Sequence, residues 1–156
     1  MSTIALTLPL ITTLDLKSAE AVINDRRASG TLIQGSPITF EIDYPREATD
    51  PRELSEIPEV RLWFVALDAA YPWLPYLLDR QSGELTRYTA MLVPHQFSKT
   101  GLQYNPEALE IFVMSKVFHT LHWLRESGVA GRNNVKLMTK TLGYELDDQF
   151  FELIGF

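Results

Sequence analysis

The sequence predicts an α+β domain, or a mixed α/β domain, in which a small sheet of about three to four strands packs with roughly four to six helices. The strand evidence is clearest in residues 38–44, where apolar and polar side chains alternate strictly. The helix evidence is clearest in residues 60–71 and 105–127, which are long and carry apolar side chains at helical spacing. With 156 residues, of which 46% are hydrophobic, we expect one globular domain over residues 1–156. The strand order stays open.

The first 53 residues add one strand and two helix starts. Residues 4–10 alternate in strand fashion, and Pro9 confines that strand to a sheet edge or to its own end. Asp15 is placed to cap a helix that Gly30 ends. Residues 50–53 match a capping box with proline at the first helical position, which predicts a short helical turn.

Residues 60–71 form an apolar run with two interpretations. As a strand, every second residue from Val60 would share one face; as a helix, only Arg61 and Asp68 interrupt the apolar surface, about 20° apart on the wheel. The length of the run and its end at Pro72 favour the helix.

The segment that follows is predicted to be extended. Residues 81–83 predict a turn, residues 85–93 predict a strand that ends at residues 94–96, and residues 98–103 predict a polar loop.

The longest predicted helix has Asn105 as its N-cap, Pro106 at its first position and Gly128 at its end. Its apolar arc, the expected buried face, comprises Leu109, Ile111, Val113, Met114, Val117, Phe118, Leu121 and Leu124. The opposite, polar side comprises Ser115, Lys116, His119, His122 and Glu126. Glu110 falls inside the arc, and a buried carboxylate is costly. We therefore expect Glu110 to pair with an arginine such as Arg61 or Arg87, or to reach solvent at the helix N-terminus.

Two short helices are predicted at the end of the chain. Asn133 is placed to cap a helix that ends at Gly143. Asp147 and Asp148 favour one further turn through Leu153, because acids stabilise a helix N-terminus.

Composition excludes several classes of function. The chain has no cysteine, which excludes a thiolate nucleophile, a zinc ribbon and an iron–sulfur cluster held by its own cysteines. The net charge of −6, without a Lys/Arg cluster, argues against binding nucleic acid or anionic lipid. No apolar run reaches the roughly 18 residues of a membrane span, so we do not expect an integral membrane protein.

Histidine and charged residues offer two candidate sites. His119 and His122 are three apart on a helix and could share a metal ion, or they are simply two exposed histidines, since no third ligand is in place. Arg61, Asp68 and Arg87, with His95, could line the pocket of a small enzyme or ligand-binding domain, or could serve structural pairing. Because no catalytic motif is present, we expect no catalytic residue, no metal and no cofactor.

Aromatic residues offer the other candidate, a protein-binding surface. We name residues 72–79 the proline corner, since Pro72 and Pro75 stiffen it. Trp63 is expected in the core, whereas the candidate protein-binding residues are Pro72, Trp73, Pro75, Tyr76, Asp79, Phe112 and Trp123.

Four segments together carry a family resemblance: IPEVRLWF at 57–64, YPWLP at 71–75, AMLVPH at 90–95 and NPEALE at 105–110. With them the chain resembles, over roughly residues 8–153, the chlororespiratory reduction six family of cyanobacteria and plant chloroplasts. The resemblance implies a non-enzymatic, chaperone-like assembly factor of the photosynthetic NAD(P)H dehydrogenase-like complex. The implied partner is the ferredoxin-like iron–sulfur subunit of its peripheral arm.

The resemblance also implies a location. It is the cyanobacterial cytoplasm, or the stroma in plant relatives. No transit peptide is visible before Ile4, which suits a bacterial source. The family offers no motif that assigns a catalytic, cofactor or metal residue here.

Overall fold

The computed structural model describes residues 1–156, apart from the side chain of Phe97. Across these residues it has seven α-helices and two sheets of two strands each, which confirms the α+β prediction. The chain forms two compact units. The first comprises Met1–Tyr71 with Leu77–Leu92, and the second comprises Pro72–Tyr76 with Val93–Phe156. A single domain over residues 1–156 stays a prediction.

The first unit is built on a parallel pair of strands, β1 (Ser2–Thr7) and β2 (Ile38–Asp43), with Ile4 opposite Phe40. Ile4 and Leu6 of β1 are buried and Thr3, Ala5 and Thr7 are exposed, as the alternation predicts. The chain between them forms the helices α1 (Leu8–Thr12) and α2 (Lys17–Ala28).

Two further helices complete the first unit. A 3-10 turn at Leu54–Glu56 precedes α3 (Pro58–Ala70), and α4 (Glu84–Leu92) packs against α3. Trp63 of α3 is fully buried, as expected, and its indole N–H donates to the carbonyl of Asp15 at 2.9 Å. The core of this unit is therefore aromatic around α3.

After Pro72–Tyr76, the second unit contains a hairpin of β3 (His95–Ser98) and β4 (Gly101–Tyr104). It continues with α5 (Pro106–Glu126), α6 (Arg132–Thr141) and α7 (Asp148–Leu153). The side chain of Asn105 accepts the N–H groups of Glu107 and Ala108, which confirms the predicted cap.

The predicted strand at residues 85–93 is wrong, because Glu84–Leu92 is α4. Leu85, Tyr88 and Thr89 are buried at helical spacing, and the Thr89 hydroxyl donates to the Leu85 carbonyl at 2.8 Å. Aromatic and β-branched residues suggested a strand, but packing decided the conformation.

The predicted polar loop at residues 98–103 is also wrong, since most of it belongs to the β3–β4 hairpin. Strands of four residues with many polar side chains give little alternation to detect.

Element ends differ in several places, and the N-cap of α2 is Leu16 rather than the predicted Asp15. The strand of residues 4–10 stops at Thr7, because Leu8–Thr12 is helical with Pro9 in its first turn. The capping box is formed by Glu53 with Glu56, three residues later than predicted. Gly131 holds the N-cap position of α6, so Asn133 lies inside that helix. The helical turn predicted from Asp147 and Asp148 through Leu153 is α7, and the Asp147 side chain caps it.

The buried face of α5 is rotated from the predicted arc. Lys116 and Thr120 are buried at 4% and 0% exposure, whereas Ile111 and Phe118 are 67% and 51% exposed. The apolar arc was broad, so neighbouring elements selected which part of it they cover. Glu110 is exposed near the helix N-terminus, one of the two outcomes expected for it.

Candidate functional site

The proline corner supplies aromatic rings to the second unit. The indole of Trp73 stacks on that of Trp123, with centroids 4.3 Å and planes 5° apart. The ring of Tyr76 meets Trp123 edge-on at 6.0 Å. Such ring pairs add stability beyond the area that they bury. The three rings therefore form part of the packing of this unit.

This packing corrects the expectation that the corner presents open rings. Trp73 and Tyr76 are 8% and 6% exposed, and Pro75 is buried as well. In a helical turn both rings would project to one side, but that side is covered by Trp123. Trp123 itself is half-buried.

The other sequence-predicted binding residues keep part of their surface. Pro72, Asp79 and Phe112 are half-buried. The Asp79 carboxylate accepts the N–H of Gln81, and hydrogen bonds from the Ser82 hydroxyl and from backbone groups lower its pKa. The ammonium of Lys116 lies 5.4 Å from the centre of the Phe112 ring. These three, with Trp123, stay predictions as binding residues.

The residues of the alternative pocket have separate neighbours. In the first unit, the Arg61 guanidinium donates to the carbonyl of Ser55 at 3.1 Å. Arg87 donates to the carbonyl of Phe40 at 2.7 Å and pairs with the Glu84 carboxylate. Each of these arginines thus ties its helix to a neighbouring segment or to its own first turn.

Asp68 accepts the hydroxyl hydrogen of Tyr88 at 2.8 Å. Burial of the Tyr88 ring, together with the nearby negative charge, raises the pKa of that hydroxyl well above its ordinary value. The Tyr88 hydroxyl therefore stays neutral at physiological pH. This pair links α3 to α4 inside the first unit.

His95, in the second unit, lies beside a cavity of about 790 Å³. The cavity lies among the β3–β4 hairpin, the start of α5 and the end of α6. Its lining comprises Pro94, His95, Gln96, Gln103, Tyr104, Asn105, Pro106, Leu109, Leu142, Gly143 and Tyr144. Burial raises the pKa of Tyr104 to about 12. Arg61, Asp68 and Arg87 are not in this lining.

The two histidines of α5 have other neighbours. His119 Nδ1 lies 2.8 Å from the carbonyl of Ser115, and His122 lies 3.3 Å from the Glu126 carboxylate. Among the described residues, no three His, Cys, Asp or Glu side chains are grouped so that they could hold a metal ion.

Sequence reasoning missed an exposed apolar surface on α3. We define the outer face of α3 as the residues that turn toward solvent: Pro58, Glu59, Leu62, Val65, Ala66, Ala69 and Ala70. Leu62 and Val65 are 53% and 48% exposed. The signal was present in the sequence, since residues 60–71 are apolar nearly all round, and such a helix is ordinarily covered on every side.

Comparison with known proteins gives one family. The sequence model of the family described as chlororespiratory reduction 6 matches residues 6–153. No solved structure matches. In the part of the chain that the structure describes, every helix is too short or too polar to cross a membrane.

Proposed function

Because this chain belongs to the chlororespiratory reduction 6 family, we propose that it is an assembly factor that transiently binds another protein of the photosynthetic NAD(P)H dehydrogenase-like complex. Membership of the family implies a part in the biogenesis of that complex. The proposal adds the partner, which is the ferredoxin-like iron–sulfur subunit of the peripheral arm. It also adds a chaperone-like, non-enzymatic action in the cyanobacterial cytoplasm, or in the stroma of plant relatives.

The observation that carries the proposal is the extent of the family match. Residues 6–153 include nearly all of both compact units, so the family's role is assigned to the whole chain rather than to one segment. Exposed apolar side chains on α3, Leu62 and Val65, support a protein as the partner, because exposed apolar surface is typical of protein-binding sites.

Binding residues must reach solvent. Of the seven predicted from the sequence, Trp73, Pro75 and Tyr76 are buried, which leaves Pro72, Asp79, Phe112 and Trp123 as proposed contributors. A half-buried aromatic ring such as Trp123 can serve as an anchor if the partner covers its open edge.

The proposal is tested in a photosynthetic strain that lacks this chain. We expect the strain to accumulate less of the assembled complex, as measured on native gels, and we expect the wild-type gene to restore it. A tagged copy of the chain should retain the purified iron–sulfur subunit.

Two results would contradict the proposal at different levels. Normal accumulation of the complex without the chain would reject its role in assembly. Loss of the complex, without binding of the iron–sulfur subunit to the tagged chain, would reject the proposed partner only.

A further inference from the structure

The outer face of α3 is unusual in its composition. At 100° per residue its seven residues span about 140° of the helix circumference, and Glu59 is the only one with a polar side chain. The face holds two large apolar side chains, Leu62 and Val65, beside the small residues Ala66 and Ala69. From Glu59 to Ala69 it extends about 15 Å at 1.5 Å per residue.

The polar residues of α3 do not make this face hydrophilic. Arg61 donates to the carbonyl of Ser55, and Asp68 accepts from Tyr88, so both polar side chains serve contacts on other sides of the helix. The opposite side, with Val60, Trp63, Phe64 and Leu67, is buried in the core of the first unit. The helix is therefore apolar on both sides but covered on one.

Acidic residues lead directly into this face. Residues 41–59 contain seven Asp and Glu and two Arg, which gives a net charge of −5 out of −6 for the whole chain. Glu53, Glu56 and Glu59 are exposed. They lie immediately before α3 or in its first turn. The apolar face thus has three exposed acidic residues at its N-terminal end.

We propose that the outer face of α3 is the docking surface for a basic amphipathic helix of the partner protein. This inference rests on the proposed function. Leu62 and Val65 contact the apolar side of that helix. Ala66 and Ala69 let the two helix axes approach closely, because the distance between packed helices depends on the size of the side chains at the contact. Lysine or arginine residues on the partner helix, beside its apolar side, contact Glu53, Glu56 and Glu59. These charge pairs favour association and fix the orientation of the partner helix.

Two probes test the surface: the purified iron–sulfur subunit and a synthetic helical peptide of leucine and lysine. The first variant is the double change Leu62→Ser with Val65→Ser. We expect it to weaken binding of both probes about tenfold or more, as for anchor residues of an interface. Its thermal transition should stay close to that of the wild type, since about half of each residue is exposed.

The matched control is Ile111→Ser with Phe118→Ser, which removes two exposed apolar side chains from α5. It should leave the dissociation constant within about twofold of the wild-type value. Glu59→Lys should weaken binding and reduce its salt dependence more than Glu145→Lys, an equal charge change at an exposed residue of the second unit.

The outcomes separate the two proposals. If the wild-type chain binds the subunit, and the α3 and α5 double serine variants bind it with the same dissociation constant, the docking surface is rejected and the partner is retained. If the peptide binds the outer face of α3 but the subunit does not bind at all, the partner is rejected and the surface is retained. If the chain dimerises in sedimentation and only Leu62→Ser with Val65→Ser abolishes the dimer, the occupant is a second copy and the proposal is overturned.

Discussion

The hydroxyl of Tyr76 occupies the space that a side chain at Gly131 would need. A Cβ atom at Gly131 would lie 2.6 Å from that hydroxyl and 2.7 Å from a methyl carbon of Leu124. The φ angle of Gly131 is −135°, which other residues also adopt, so close packing and not backbone conformation requires glycine here. The start of α6 is therefore fitted to the proline corner.

Gly131→Ala should lower the free energy of unfolding by about 1–3 kcal/mol, because the added methyl group overpacks this contact. Tyr76→Phe removes the oxygen that the methyl group would meet. The double variant should therefore be more stable than the sum of the two single changes predicts, by about 0.5 kcal/mol or more. Urea unfolding of the four proteins measures this coupling, and simple additivity would contradict the role of the hydroxyl.

Trp73→Ala should lower the free energy of unfolding by about 3–5 kcal/mol, since it removes a buried ring and the stacking contact of that ring with Trp123. Leu153→Ala is the matched control, because Leu153 is 87% exposed and its truncation should change stability by no more than about 0.5 kcal/mol. A Trp73→Ala protein that unfolds at the same urea concentration as the control would show that the ring does not hold the second unit together.

The stability of the protein should fall as pH rises above the ordinary tyrosine pKa of 10.0. The pKa of Tyr88 is raised in the folded state, so its neutral hydroxyl contributes stability that is fully present below pH 10 and is lost at higher pH. Tyr104, with a pKa of about 12, contributes in the same direction between about pH 10 and 12.

Unfolding measured at pH 8, 10 and 11.5 should therefore show a smaller loss of stability for Tyr88→Phe than for the wild type. Phenylalanine cannot ionise, so the variant lacks this pH-dependent contribution. Absorbance of tyrosinate provides an independent check, since Tyr88 should remain neutral until the protein unfolds. An equal loss of stability in both proteins would contradict the raised pKa.

The sequence predicted correctly those features that depend on a few neighbouring residues. The cap at Asn105 with Pro106, the last helical turn at Asp147 and Asp148 and the alternation of β2 each depend on a few adjacent residues, and each is confirmed. The end of α3 before Pro72 depends on the same kind of local constraint.

Features decided by distant packing were missed. Thr89 in α4 satisfies its hydroxyl inside the helix, which its strand preference does not reveal. The wheel of α5 could not show that Lys116 is covered and Ile111 open, because that depends on which elements pack against the helix. The same reason explains the corner: Trp73 is stiff and aromatic as an anchor would be, but Trp123, far along the chain, covers it.

The assignment of Pro72–Tyr76 to the second unit constrains how the chain is made and how it can be cut. Trp123 lies 50 residues after Trp73. At a synthesis rate of roughly 5–20 residues per second, Trp73 therefore leaves the ribosome on the order of 3–10 s before Trp123. During that interval its indole has no stacking partner. For the same reason a fragment that begins at Val93 would carry Trp123 without Trp73, so a single fragment that holds the whole second unit must also include Leu77–Leu92.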